Sequence, residues 1–290
     1  MLGGAGNDGR IEYGGDAMEM QHIRYDVEDR VGVITLDRPE KANAQNARLL
    51  NELDHAWDLA ARDKAVRVIV LRANGKHFSA GHDLRPSDDG GPDAGVELVD
   101  GKWTVEALYN WESRIYLGYA LKWRDVPKPS IAAVQGQCIA GGLLLCWPCD
   151  LIVAADNARF SDPVVQMGIG GVEFHAHAWE LGPRKAKEIL FTGRAMTAEE
   201  AASVGMVNKV VALDDLWPET MALARRIAQM HPFGLAQAKR AVNQSLDVAG
   251  FRAAIQACFD IHHTGHGNAI SVSGYPILAS LDEMKGKIDH

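Results

Sequence analysis

Apolar positions along this chain follow two rhythms. From Ile23 onward, short β-branched runs recur: Val31–Leu36, Val66–Leu71, Ile131–Val134 and Asp150–Ala155 each read as a strand. Asp37-Arg38-Pro39 stops the first run, and Asn74-Gly75 turns the chain out of the second. Between them, Asn46–Arg62 places Leu49, Leu50, Leu53, Ala56, Trp57 and Ala60 at helical spacing, which predicts an amphipathic helix. Beyond about residue 183 the rhythm turns helical. Arg184–Thr192, Thr197–Val204, Leu213–Met230, Phe233–Leu246 and Phe251–His263 read as helices, broken by the short strand Val207–Val211. Thr197-Ala-Glu-Glu200 supplies an N-cap and the acidic first turn that a helix dipole favours. The pattern predicts an α/β core over 21–205 and a helical region over 206–290, whose apolar faces suit packing on a neighbouring subunit.

Two segments stand outside this rhythm. Residues 1–20 are rich in Gly and polar residues and read as a disordered tail, with Met18 or Met20 as alternative biological starts. Gly4-Ala-Gly-Asn-Asp-Gly9 matches a phosphate-cradling pattern in letters alone, since no strand precedes it and no apolar helix follows. Residues 86–125 read as an insertion, a mobile loop that leads into an aromatic stretch with Trp103, Tyr109, Trp111, Tyr116, Tyr119 and Trp123. That stretch predicts a helix that packs either over a ligand or into the core.

Composition narrows the function classes. The 290 residues carry 30 Lys+Arg against 38 Asp+Glu, a formal charge of −8, which argues against sequence-blind nucleic-acid binding. The most apolar stretch, Cys138–Trp147, is about half the length of a bilayer span. The N-terminal residues carry neither a secretory signal nor a basic transit pattern, so the expectation is a cytoplasmic protein without membrane contact. Cys138, Cys146, Cys149 and Cys258 read as small packed residues rather than a disulfide framework.

Candidate chemistry lies in two segments that put backbone N–H groups beside glycine. One is Lys76-His-Phe-Ser-Ala-Gly-His-Asp-Leu84, just after a strand; the other is Gln135-Gly-Gln-Cys-Ile-Ala-Gly-Gly-Leu-Leu-Leu145, where a glycine pair opens a helix. Glycine admits a ligand close to the backbone, and two N–H donors aimed at one oxygen form an oxyanion hole.

These segments, with others in the same order, give the chain its resemblance to the crotonase, or enoyl-CoA hydratase/isomerase, family. The matching stretches are Asp37-Arg-Pro-Glu-Lys-Ala-Asn43, Phe78-Ser-Ala-Gly-His-Asp-Leu84, Lys128-Pro-Ser-Ile-Ala-Ala-Val-Gln-Gly136 and Ile139-Ala-Gly-Gly142. Cys149-Asp-Leu-Ile-Val-Ala154, Ala158-Arg-Phe160, Ala186-Lys-Glu-Ile-Leu-Phe-Thr-Gly-Arg194 and Ala198-Glu-Glu-Ala-Ala-Ser-Val-Gly-Met-Val-Asn208 continue it, over roughly residues 21–250. The resemblance implies a spiral of ββα units with a helical trimerisation region, assembled as a trimer or a dimer of trimers. It implies a coenzyme A thioester as substrate and no separate cofactor. The N–H groups of His82 and Gly141 should bind the thioester oxygen, with Lys41, Ala42, Ala80, Gly81, His82, Asp83, Leu84, Arg85, Gly141 and Gly142 around the substrate. Lys41, Arg85 or Lys239 could meet the CoA phosphates.

The chain departs from the family at the acid/base positions. Family hydratases use two glutamates to activate water, and here those positions hold Leu144 and Val164, neither of which exchanges a proton. Four residues are candidate replacements: Glu173 in Gly170-Gly-Val-Glu-Phe-His-Ala-His177, Asp162 in Phe160-Ser-Asp-Pro163, His175 and the His82 side chain. Double-bond isomerases of the family carry an Asp near the position of Glu173. The expected activity is therefore that of an acyl-CoA-processing enzyme labelled a hydratase, with isomerase, lyase or hydrolase chemistry as the alternative. A non-catalytic CoA-ester binder is a third reading. His262, His263 and His266 invite a metal reading, but Gly265 and Gly267 suggest a helix end with solvated rings, and no metal site is expected.

Overall fold

The β-branched runs pair as their alternation requires. The computed structural model describes residues 19–84, 95–280 and 283–284. The tail, except for its last two residues, and residues 85–94 with Arg85 lie outside the described residues. Strand β1 (Ile23–Glu28) runs antiparallel to β2 (Val31–Leu36), and β3 (Val68–Ala73), β4 (Ser130–Val134), β6 (Leu151–Ala155) and β9 (Lys209–Val211) continue the sheet in parallel. A second, three-stranded sheet joins β5 (Gln137–Ile139), β7 (Arg159–Ser161) and β8 (Met196–Thr197).

Successive side chains of the main sheet face opposite sides, so each strand feeds two cores. Val31, Val33, Val68 and Val70 pack with Leu216, Met221 and Ala224 of α8 (Leu216–Ala228). The alternate set, Ile34, Leu36, Ile69 and Leu71, packs with Leu49, Leu53 and Trp57 of α1 (Ala47–Arg62). Helix α1 starts at Asn46, whose side-chain oxygen accepts from Leu49 N at 2.8 Å. Covering both faces of a parallel sheet with helices satisfies its two-sided apolar pattern.

The aromatic insertion forms α2 (Val105–Glu112), a π-helical turn (Ser113–Leu117) and α3 (Gly118–Asp125) in one continuous run. Trp123 stacks on Trp57 with centroids 6.0 Å apart, a core contact, whereas Tyr116 stacks on His82 at 4.2 Å, beside the candidate site. The core packing expected of this stretch is present at Trp123.

The remaining helices are α4 (Gly141–Cys146), α5 (His177–Leu181), α6 (Pro183–Thr192), α7 (Ala198–Ser203), α9 (Pro232–Val248) and α10 (Phe251–Ser273). The capping box at Thr197 forms, with the hydroxyl accepting from Glu200 N and the Glu200 carboxylate accepting from Thr197 N. Helix α10 corrects an expectation: it runs ten residues past His263. Gly265 and Gly267 do not end the helix. They let its backbone approach others closely, because a Cβ on Gly265 would lie 2.8 Å from Gly168 O, and one on Gly267 would lie 3.1 Å from Val105 Cγ2. Cys138, Cys146 and Cys149 are buried and, like the half-buried Cys258, remain free thiols, with burial raising the thiols of Cys146 and Cys149.

Candidate active site

Two loops build one edge of the site. In the first, Arg38 is buried and donates from Nη1 to Asp83 Oδ2 at 2.6 Å and to Ala44 O at 2.9 Å. Asn43 holds a left-handed backbone (φ 52°), and its side-chain nitrogen donates to Asn74 O and His77 O. Gln45 then brackets His82, since Gln45 N donates to Gly81 O at 2.8 Å and Asp83 N donates to Gln45 O at 2.9 Å. The stretch 81–83 is thereby fixed in direction by backbone pairing.

The second loop passes through Ala140, whose φ of 44° and ψ of −104° lie in a region L-residues avoid. Such a residue costs on the order of 1–3 kcal/mol and persists where its surroundings impose it. Ala140 N donates to Ser161 O at 2.8 Å, and its ψ sets the direction of the next peptide N–H, that of Gly141, the first residue of α4. The two loops touch. A Cβ on Gly81, where φ is +86°, would stand 3.3 Å from Gly141 N; one on Gly141 would stand 3.0 Å from His82 Cε1. The Gly81 position therefore demands glycine, and a side chain at Gly141 would press on the His82 ring.

A cavity of about 500 Å³ opens in front of these loops. Lys41, Ala42, Ala80, His82, Asp83 and Leu84 line it, as the sequence leads one to expect, with Ala140 from the second loop. Gly81, Gly141 and Gly142 are buried. The two acid/base positions of the family are apolar in different ways. Leu144 is wholly buried in the core, while Val164 lies on the cavity wall itself.

Of the candidate replacements, the His82 ring and Glu173 reach the cavity, and Glu173 is the carboxylate of the two. It is buried, with Oε2 3.1 Å from His82 Nε2 and Oε1 3.7 Å from His262 Nε2. Burial pushes its carboxyl up, but the His82 charge and hydrogen bond, together with His262, outweigh burial and hold it below the usual carboxylate range. Asp162 is placed otherwise: it is fully buried, 2.9 Å from His177 Nε2, and it accepts from Val172 N at 2.8 Å. It braces the loop that carries Glu173 rather than lining the cavity. His175 packs beneath Gly171 and against His177, and burial depresses its imidazole to about 4. Lys239 is neither a surface charge nor a cavity residue, since its ammonium lies 2.9 Å from Asp150 Oδ2 and donates to Lys128 O. Of the bases assigned to CoA, Lys41 stands at the cavity.

The solvated-ring expectation for the three C-terminal histidines is overturned. His262, His263 and His266 are all buried, and His262 and His266 line the cavity beside Glu112. Burial lowers the His262 imidazole, but Glu112 and Glu173 reverse this and raise it to about 9. Burial likewise pushes the Glu112 carboxyl up, and the facing histidines bring it below its ordinary value. Ligand atoms of Glu112, His262 and His266 lie within 4.8 Å of one another, close enough to hold a metal ion. Glu112 is the site residue that sequence reading misses. It sits at the end of α2 among aromatics, and its partners come from α10, 150 residues away in the chain.

Comparisons with known proteins place the chain in a family. A family model described as enoyl-CoA hydratase/isomerase matches residues 26–269. EchA13 of Mycobacterium tuberculosis, provisionally named an enoyl-CoA hydratase, is 43% identical over 267 residues, covering 88% of this chain and 84% of the relative. A probable enoyl-CoA hydratase of Rhizobium meliloti is 36% identical, covering 80% of this chain and 84% of its own length. The crystal structure of a probable enoyl-CoA hydratase from Mycobacterium thermoresistibile is 69% identical, covers 89% of this chain and 99% of that one, and superposes with a TM-score of 0.83. The chain belongs to the enoyl-CoA hydratase/isomerase, or crotonase, family.

Proposed function

We propose that the protein moves a proton on an acyl-CoA thioester, with the developing enolate held by the N–H groups of His82 and Gly141 and with Glu173 as the acid/base. The observation that carries this is the placement of the Glu173 carboxylate on the wall of the same cavity that the two glycine-bearing loops border, 3.1 Å from the His82 ring. Charge that builds on the thioester oxygen is stabilised by donors already fixed in direction, which avoids reorganisation during reaction. The strained Ala140 and the Gln45 bracket supply that fixing. Lys41, at the cavity, provides a positive charge for the CoA phosphates.

The reaction then depends on how many groups can hold a proton. A single carboxylate that takes a proton from one carbon and returns it to another moves a double bond. Water addition needs a second group, and the contact between Glu173 and His82 favours the imidazole for that part. The two outcomes differ by the mass of one water. Incubation with a panel of enoyl-CoA esters of different chain length should give either hydrated products or isomers of unchanged mass. Glu173→Gln should lower turnover by about 10²–10⁴-fold while leaving acyl-CoA binding intact. Saturable binding with no turnover across the panel would overturn the assignment in favour of a CoA-ester binder.

A further inference from the structure

The buried histidines of α10 have a geometry that a packing role does not require. His262 Nδ1 lies 2.7 Å from Gly171 O, and His266 Nδ1 lies 2.8 Å from Pro276 O. A carbonyl oxygen only accepts, so each ring carries its proton on Nδ1 and donates it there. Each Nε2 is then left with a lone pair, yet the two Nε2 atoms lie 2.9 Å apart. Two lone pairs at that distance repel. A cation must share the space, and either a proton or a metal ion can be that cation.

The carboxylate of Glu112 adds a third potential ligand to the pair. Its Oε2 is 3.3 Å from His262 Nε2, and its Oε1 is 3.6 Å from His266 Nε2. Although the residue is buried, no hydrogen bond of good geometry reaches Oε2. A proton shared between the two Nε2 atoms leaves Oε2 without a hydrogen bond, whereas a metal ion takes that oxygen as a ligand. One ligand atom from each of Glu112, His262 and His266 lies within 4.8 Å of the other two, compact enough to close around one metal ion. The surroundings fit as well. Backbone carbonyls fix the tautomer and direction of both rings, which is the usual outer support of histidine ligands. His262 and His266 are four residues apart on one helix face, and Glu112 closes the triangle from the last residue of α2, next to the π-helical turn.

We propose that Glu112, His262 and His266 bind a divalent transition metal of the zinc class. The set of two imidazoles and one carboxylate leaves a coordination position, and all three residues line the cavity, so that position opens on it. A water held there stands near Glu173, whose Oε1 is 3.7 Å from His262 Nε2. The proposal stands apart from the oxyanion assignment, since it concerns metal binding rather than turnover.

The full chain, purified without a histidine tag and stripped with a strong chelator, should be titrated with Zn2+ by calorimetry and with Co2+ by visible absorption. The expected result is about one tightly bound equivalent, Co2+ bands of nitrogen and oxygen ligation, and a rise in melting temperature. Glu112→Gln and His266→Asn, each checked for native circular dichroism, should weaken binding by about a hundredfold or more through loss of one of three ligands. Should either variant fail to fold, the other variant and the unmodified chain's Co2+ spectrum decide. Absence of Zn2+ binding by the unmodified chain, or equal binding by both folded variants, overturns the proposal and leaves the cluster as a proton-sharing network.

Discussion

Arg38 shows how one buried residue holds a site in register. Its guanidinium joins the loop at 38–45 to Asp83, and both side chains are almost wholly buried. Removal of one partner from such a buried pair costs about 3–5 kcal/mol. Arg38→Ala should therefore lower unfolding free energy by about that amount in urea titrations, whereas a loss below 1 kcal/mol would show the pair to be incidental. Glu173 was legible as a candidate because double-bond isomerases of the family carry an Asp near its position. Its contact with His82 was not, since 91 residues separate them and nothing local encodes the pairing. Asp162 illustrates the opposite error. A carboxylate two residues from a family acid/base position looks catalytic in sequence, but its partners Val172 N and His177 make it a brace.

At the scale of elements, glycine was the hardest residue to read. In Gly265 the sequence shows a helix breaker, and the structure shows a close approach of α10 to Gly168. Two effects oppose each other in Gly265→Ala. Helix propensity gains about 1 kcal/mol, and a methyl 2.8 Å from a backbone oxygen costs about 1–3 kcal/mol, because backbone cannot rotate away. The clash should win, and a net stabilisation in denaturant titration would contradict the packing account. The long strands and helices were legible because each repeats its period over several turns or pleats. The three strands of the small sheet span two or three residues each, too short to show a period. Helix α7 offers a pH test. Arg194, and the cap at Thr197, hold the Glu200 carboxyl at about 2, against an ordinary value of 4.5. A depressed folded-state value means the contribution is complete above pH 4.5 and fades as pH falls toward 2. The stability difference between the unmodified chain and Arg194→Met should shrink over that window. It should also be small and salt-sensitive, because the network is exposed; a constant difference from pH 7 to pH 2 would refute it.

For the whole molecule, the acidic balance excluded partners without naming one. Among the described residues no helix is long and apolar enough to cross a membrane. Helix α9 has no buried residue, and Phe233, Val242 and Val248 are 67%, 63% and 80% exposed, more than a solvent-facing helix tolerates without a neighbour. Light scattering should therefore report a multiple of the chain mass, which the family resemblance puts at three or six, and Val242→Glu should lower it; a monomer at micromolar concentration would contradict the assembly. Proton transfer by Glu173 on a bound thioester leaves a direct signature in isotope exchange. Acyl-CoA esters incubated in D2O and followed by NMR should gain deuterium at carbons α or γ to the thioester with the unmodified protein, and at least about a hundredfold more slowly with Glu173→Gln. Exchange at an unchanged rate in the variant would remove Glu173 from the chemistry.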